Sequence, residues 1–104
     1  MNLYRHGDLA ITQIEKLPKN LKEIKNNILA YGEATGHGHI LIAEPEITFR
    51  VLEDKRGEKY LDIRKPTQLT HQEHKTITIE RGFYFISHEK EYDYTAEELK
   101  RVKD

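Results

Sequence analysis

Cysteine is absent from the 104 residues, and with it go disulfide frameworks, thiolate zinc sites, iron–sulfur clusters and cysteine nucleophiles. Tryptophan is also missing, and three prolines and six glycines are too few for a low-complexity chain. An excess of charge of one sign is missing as well: 17 Lys and Arg stand against 18 Asp and Glu, a formal net charge of −1. Such a balance excludes the broad cationic face that gives sequence-independent affinity for long nucleic acid. Nowhere are there the ~20 consecutive apolar residues of a membrane span. Residues 1–8 carry Arg5, His6 and Asp8 with no apolar run behind them, unlike a signal peptide, so no membrane is expected and the location expected is cytoplasmic. The glycine patterns of a phosphate loop, a Rossmann turn or a nucleophile elbow do not occur, which removes P-loop nucleotide hydrolysis. Chemistry is left to histidine, carboxylate, hydroxyl, lysine and arginine.

What is present reads as one β-rich domain over residues 1–104, near the commonest size for a single core. A β-prone run over residues 8–14 predicts an opening strand, closed by Pro18. Leu21, Ile24 and Ile28 fall at helical spacing and predict one or two helical turns. Strands are then expected at residues 28–32 and 39–43, around a turn at Thr35-Gly36-His37-Gly38. A hairpin is expected from residues 47–52 and 60–64 across Asp54-Lys55-Arg56-Gly57. A short strand at 67–70 is followed by a second hairpin, 76–79 with 83–86 across Arg81-Gly82. Thr95 with Glu98 three residues on has the spacing of a capping box and predicts a short C-terminal helix. Seven to eight short strands between tight turns predict a small β-barrel or β-sandwich.

Histidine is the informative residue. Four of the six fall in two tight clusters, His37-Gly38-His39 and His71-Gln72-Glu73-His74, with His6 and His88 apart. Residues two apart on a strand share a face, so His37 and His39 can present both rings to one cavity. The separation of three between His71 and His74 suits one helical turn or a tight loop, with Glu73 available as an orienting carboxylate. A surface imidazole making ordinary hydrogen bonds is the commonest outcome for any one of these.

Two chemistries use clustered histidines without cysteine. One is a cupin-like metal site with His37, His39, His71 and His74 as ligands, Glu44 or Glu46 able to complete the shell. The other is metal-free cleavage of RNA, where the 2′-OH is the nucleophile and the protein supplies a base, an acid and a cation. There His37 or His39 would oppose His71 or His74, and Lys75, Arg81 or Lys90 would hold phosphate. Tyr31, Tyr84 and Tyr92 could stack on bases or pack against the sheet.

The order Arg5-His6-Gly7-Asp8, Thr35-Gly36-His37-Gly38-His39, Thr70-His71-Gln72-Glu73-His74 and Glu89-Lys90-Glu91-Tyr92 resembles a family of small bacterial and phage proteins. That family is associated with ring nucleases, which degrade the cyclic oligoadenylate messengers of type III CRISPR antiviral defence. The likeness covers most of the chain and is strongest in the Thr-Gly-His-x-His and Thr-His-x-x-His elements. It implies that Thr35, His37, His39, His71 and His74 line the site. With it, the expected catalytic set is His37, His39, His71 and His74. The expected substrate contacts are His6, Thr35, Lys75, Lys90 and Tyr92, with no cofactor and no metal. A cyclic oligonucleotide has few phosphates and suits a near-neutral protein. A ring about as wide as the domain is more easily enclosed by a two-fold pair, so a homodimer is expected. A non-catalytic protein that sequesters a nucleotide or binds a protein partner is the alternative from a different class.

Overall fold

In a computed structural model, which describes residues 1–31 and 38–88, the chain forms ten β-strands and no helix among the described residues. They are β1 (Leu3–His6), β2 (Leu9–Ile14), β3 (Lys22–Ile24), β4 (Ile28–Tyr31), β5 (Gly38–Leu41), β6 (Phe49–Glu53), β7 (Lys59–Ile63), β8 (Thr67–Thr70), β9 (Ile77–Ile79) and β10 (Gly82–His88). A six-stranded sheet runs β1-β2-β10-β7-β6-β3 and a four-stranded sheet β4-β5-β8-β9, all neighbours antiparallel. Neither sheet closes on itself, so the barrel expectation fails. Leu9, Ile11, Leu61, Ile63 and Tyr84 from the first sheet and Leu41, Leu69 and Ile79 from the second join one buried apolar cluster. No described helix is long and apolar enough to cross a membrane.

The hairpin across Asp54 forms as the alternation requires, β6 on β7, with the Asp54 carboxylate accepting the Arg56 and Glu58 amides at 2.9 and 3.0 Å. The helix expected after Asn20 is instead β3, paired with β6. Asn20 sits at φ 63, and Asn26 Oδ1 accepts the Ile28 amide at 2.8 Å. These two local turns leave too few residues between them to nucleate a helix.

The hairpin expected across Arg81-Gly82 does not form either. The chain changes sheets there: β9 pairs with β8, while β10 lies between β2 and β7. Ile79 and Tyr84 are both fully buried, and crossing between sheets lets both enter the shared core. An additional hairpin, β1 with β2, brackets a two-residue Gly7-Asp8 loop. Gly7 has φ 65 and Asp8 does not have positive φ, the type II′ combination whose first central residue is glycine. The expected C-terminal helix lies outside the described residues, as do Thr35, His37, Lys90 and Tyr92.

Candidate functional site

The inward-facing rows of four strands each run out onto a histidine. Side chains two apart on a strand share a face. His6 therefore follows Tyr4 on β1, His39 shares the face of Leu41 on β5, and His88 continues the row of Tyr84 and Ile86 on β10. His71, two residues past Leu69, prolongs the β8 row into the loop to β9, which also carries His74 and Lys75. Because β1, β2 and β10 meet at Leu9, with partners His6 and His88, these rows end together where the two sheets meet.

Four imidazoles touch there. Ring centroids of His39 and His71 are 4.4 Å apart, His71 and His74 4.6 Å, His6 and His39 5.0 Å, and His6 and His74 5.8 Å. His6 and His39 are each 2% exposed, whereas His71 is half-buried and His74 exposed. The cluster thus has an inner and an outer pair. The loop is held to β5 by the Gly38 amide, which donates to Gln72 Oε1 at 3.2 Å.

Hydrogen-bond partners fix where the protons lie. His6 Nε2 is 2.8 Å from the Lys75 carbonyl oxygen, which can only accept, so that nitrogen carries hydrogen. In a neutral ring Nδ1 of His6 then holds a lone pair, and it faces Nδ1 of His39 at 2.9 Å. His39 supplies the hydrogen there. Its Nε2 is left with a lone pair 3.4 Å from Asp8 Oδ1, and Asp8 Oδ2 lies 3.6 Å from His88 Nδ1. In the outer pair, the Glu73 amide donates to His71 Nδ1 at 2.9 Å, which puts the neutral ring's hydrogen on Nε2.

Burial drives His39 down to about 4; the neighbouring His71 and His6 rings push the same way, and Asp8 opposes. His6 is lowered as well, first by burial, with the Lys75 carbonyl opposing and the His74 and His71 rings adding. Both inner rings are therefore neutral at pH 7, and the lone pair of His39 beside Asp8 is the position in this chain of contacts where a further proton is stabilised.

Gly7 makes the cluster possible twice over. Its φ of 65 is one that side-chain-bearing residues rarely adopt, and a Cβ there would stand 2.5 Å from His74 Nε2 and 3.2 Å from His39 Cε1.

The structure thus brings together His39, His71 and His74 of the expected catalytic set. His6 joins them as a buried partner of His39. Lys75 contributes its backbone carbonyl, its side chain being exposed. Asp8 and His88 belong to the network although the sequence reading leaves them out of the site. Arg81 is elsewhere: it precedes Gly82, whose partner Ile63 lies at the opposite end of the sheet from His88. Tyr84 is fully buried, its hydroxyl donating to the Glu80 carbonyl at 2.7 Å, so it packs in the core and offers no face to a base.

As to metal, no group of three His, Asp or Glu among the described residues is arranged to hold an ion. Both nitrogens of His6, Nδ1 of His39 and Nδ1 of His71 are engaged in hydrogen bonds within the protein. Glu46, considered as a ligand, pairs with Lys65 at 3.1 Å instead. His37 lies outside the described residues, so the four-histidine set is not placed as a whole.

The chain belongs to the family described as Domain of unknown function (DUF8820), which matches residues 5–89 and so spans the cluster from His6 to His88. No curated protein and no solved structure matches the chain.

Proposed function

We propose that this protein is a metal-independent ribonuclease that opens cyclic oligoadenylates through the substrate's own 2′-OH. The observation that carries the reading is the meeting of four imidazoles as a buried inner pair, His6 and His39, and a more accessible outer pair, His71 and His74. In the reaction the 2′-oxygen attacks phosphorus, the bond to the 5′-oxygen breaks, one proton passes to a base and another reaches the leaving oxygen. The products are a 2′,3′-cyclic phosphate and a 5′-hydroxyl.

The outer rings face the substrate. His74, exposed, takes the 2′-OH proton. His71, with its hydrogen on Nε2, donates to the phosphoryl oxygen on which charge develops, as a neutral imidazole can. His6 and His39 touch no substrate; they hold the outer rings in place as positioning residues. His37 is assigned the acid from sequence alone, and Thr35, Lys75, Lys90 and Tyr92 the substrate contacts, in a homodimer whose site spans the interface.

The test incubates the full chain with cyclic tetra- and hexa-adenylate in excess EDTA and resolves the products. Linear fragments ending in 2′,3′-cyclic phosphate are expected, with turnover falling 10²- to 10⁴-fold in His74→Ala, on the order general acid–base groups contribute. Recovery of intact rings from the wild-type chain, or unchanged turnover in His71→Ala and His74→Ala, would overturn the proposal.

A further inference from the structure

Arg81 finds no place among the histidines, and its surroundings define a second site. An open cavity of about 880 Å³ lies at the far end of the six-stranded sheet, lined by Ile14, Arg50, Asp62, Arg64, Arg81 and Phe83 among others. Ile14 pairs with Phe83 and Leu9 with His88, so five residues of ladder separate this cavity from the histidine end, roughly 17 Å at ~3.3 Å per residue. Its volume is in the range of small-molecule pockets, about 300–1,000 Å³.

Three of the chain's six arginines converge here. One buried carboxylate organises two of them. Asp62 Oδ2 accepts from Arg50 Nε at 3.0 Å and Nη2 at 2.8 Å, and from Arg64 Nε at 3.5 Å. Arg64 is therefore gripped by its Nε side, and both terminal nitrogens, the edge that clamps phosphate in a bidentate fork, remain for a ligand. Its side chain is 62% exposed. Arg81 is exposed and forms no ion pair among the described residues. Against these three cations the cavity sets the carboxylates of Asp62 and Glu15, which leaves it net positive in a chain of net charge −1. A surface ion pair would need one arginine for Asp62; two neighbouring forks in addition are the composition of an anion site.

Apart from Gln13 and Gly82, the rest of the wall is apolar. Ile14 and Ile63 line it, and half-buried Phe83 adds an aromatic ring beside the cations. A phosphate alone would leave that ring unused, whereas a phosphate ester carrying a planar group would cover both. We infer that this cavity binds a nucleoside monophosphate, the phosphate on Arg64 and Arg81 and the base against Phe83. Asp62 and Arg50 are the positioning pair that holds the Arg64 fork.

This site is independent of the histidine chemistry, and its test keeps the two apart. Calorimetric titration of adenosine 5′-monophosphate and of adenosine is made into the full chain carrying His71→Ala and His74→Ala, which removes the outer imidazoles. The monophosphate is expected to bind at least tenfold more tightly than adenosine. Adding Arg64→Ala and Arg81→Ala, both exposed and outside the core, should weaken it at least tenfold with the thermal midpoint held. Absence of monophosphate binding, equal affinity for adenosine, or an unchanged Kd without the two arginines would each overturn the assignment.

Discussion

Acid should weaken this fold in a window that His39 sets. A histidine in the unfolded chain takes up its proton near pH 6.5, whereas burial and the facing imidazoles hold His39 in the folded chain down to about 4. Between those values the unfolded chain binds a proton that the folded chain refuses, so folding stability is complete above about pH 6.5 and falls as the pH drops through about 4. Linkage puts the loss at about 2 kcal/mol by pH 5 and about 3 kcal/mol by pH 4. A small domain has only ~5–15 kcal/mol in all, so the loss is a large share. His6, lowered for related reasons, contributes with the same sign. Carboxylates also titrate below pH 5, so the measurement is a difference of differences. Urea unfolding of the wild-type chain and of His39→Asn is compared at pH 7 and pH 5. The substitution would cost stability at both pH values, but the wild-type chain should lose about 2 kcal/mol more than the variant between them. Parallel pH dependence in the two chains would refute the argument that a neutral, buried His39 anchors the cluster.

Three further outcomes follow from the same geometry. Gly7→Ala should cost about 1–2 kcal/mol for the left-handed backbone alone, and should also displace the His74 ring, read as a His74 shift in NMR spectra larger than that at His88. Asp8→Asn removes the group that supports a proton on His39, so the His39 titration followed by NMR should move below about 4; an upward move would show that the Asp8 contact is misread. Tyr84→Phe deletes the hydroxyl that donates to the Glu80 carbonyl at 2.7 Å and should lower stability by about 1 kcal/mol in urea unfolding.

Alternation made most of the strands legible. Residues 47–52 and 60–64 carry a period of two over a turn with a strong local signal, and they pair as that pattern requires. Where the sequence misled, a local signal competed with a contact it could not see. The helical spacing of Leu21, Ile24 and Ile28 is real, but β6 offers residues 22–24 a sheet edge, and Asn20 and Asn26 turn the chain on either side. Arg81-Gly82 looks like a hairpin turn and is a crossing between sheets, because only the packed core decides which sheet β10 enters. The Gly7-Asp8 loop could have been read: a Gly-Asp pair between Leu3–His6 and Leu9–Ile14 is a two-residue hairpin signal. Reading it would have placed His6 beside the start of β2 and made Asp8 a candidate.

The site was legible in composition and hidden in connectivity. Clustering singled out His39, His71 and His74, but the same parity that builds the core also marks His6 and His88: Tyr4 to His6, Leu41 to His39, Leu69 to His71 and Ile86 to His88 are all steps of two. Each apolar row is continued by an imidazole where it nears the end of the core, and imidazole is the side chain whose ring can pack like an apolar group while its nitrogens still hydrogen-bond. That placement makes the cluster a product of sheet docking. The link from His6 to His39 joins β1 of one sheet to β5 of the other, and the link from His6 to the Lys75 carbonyl joins β1 to the loop between β8 and β9. Neither sheet alone carries the inner pair, so its tautomers, and the lone pair they leave on His39 facing Asp8, exist only once the two sheets share their core.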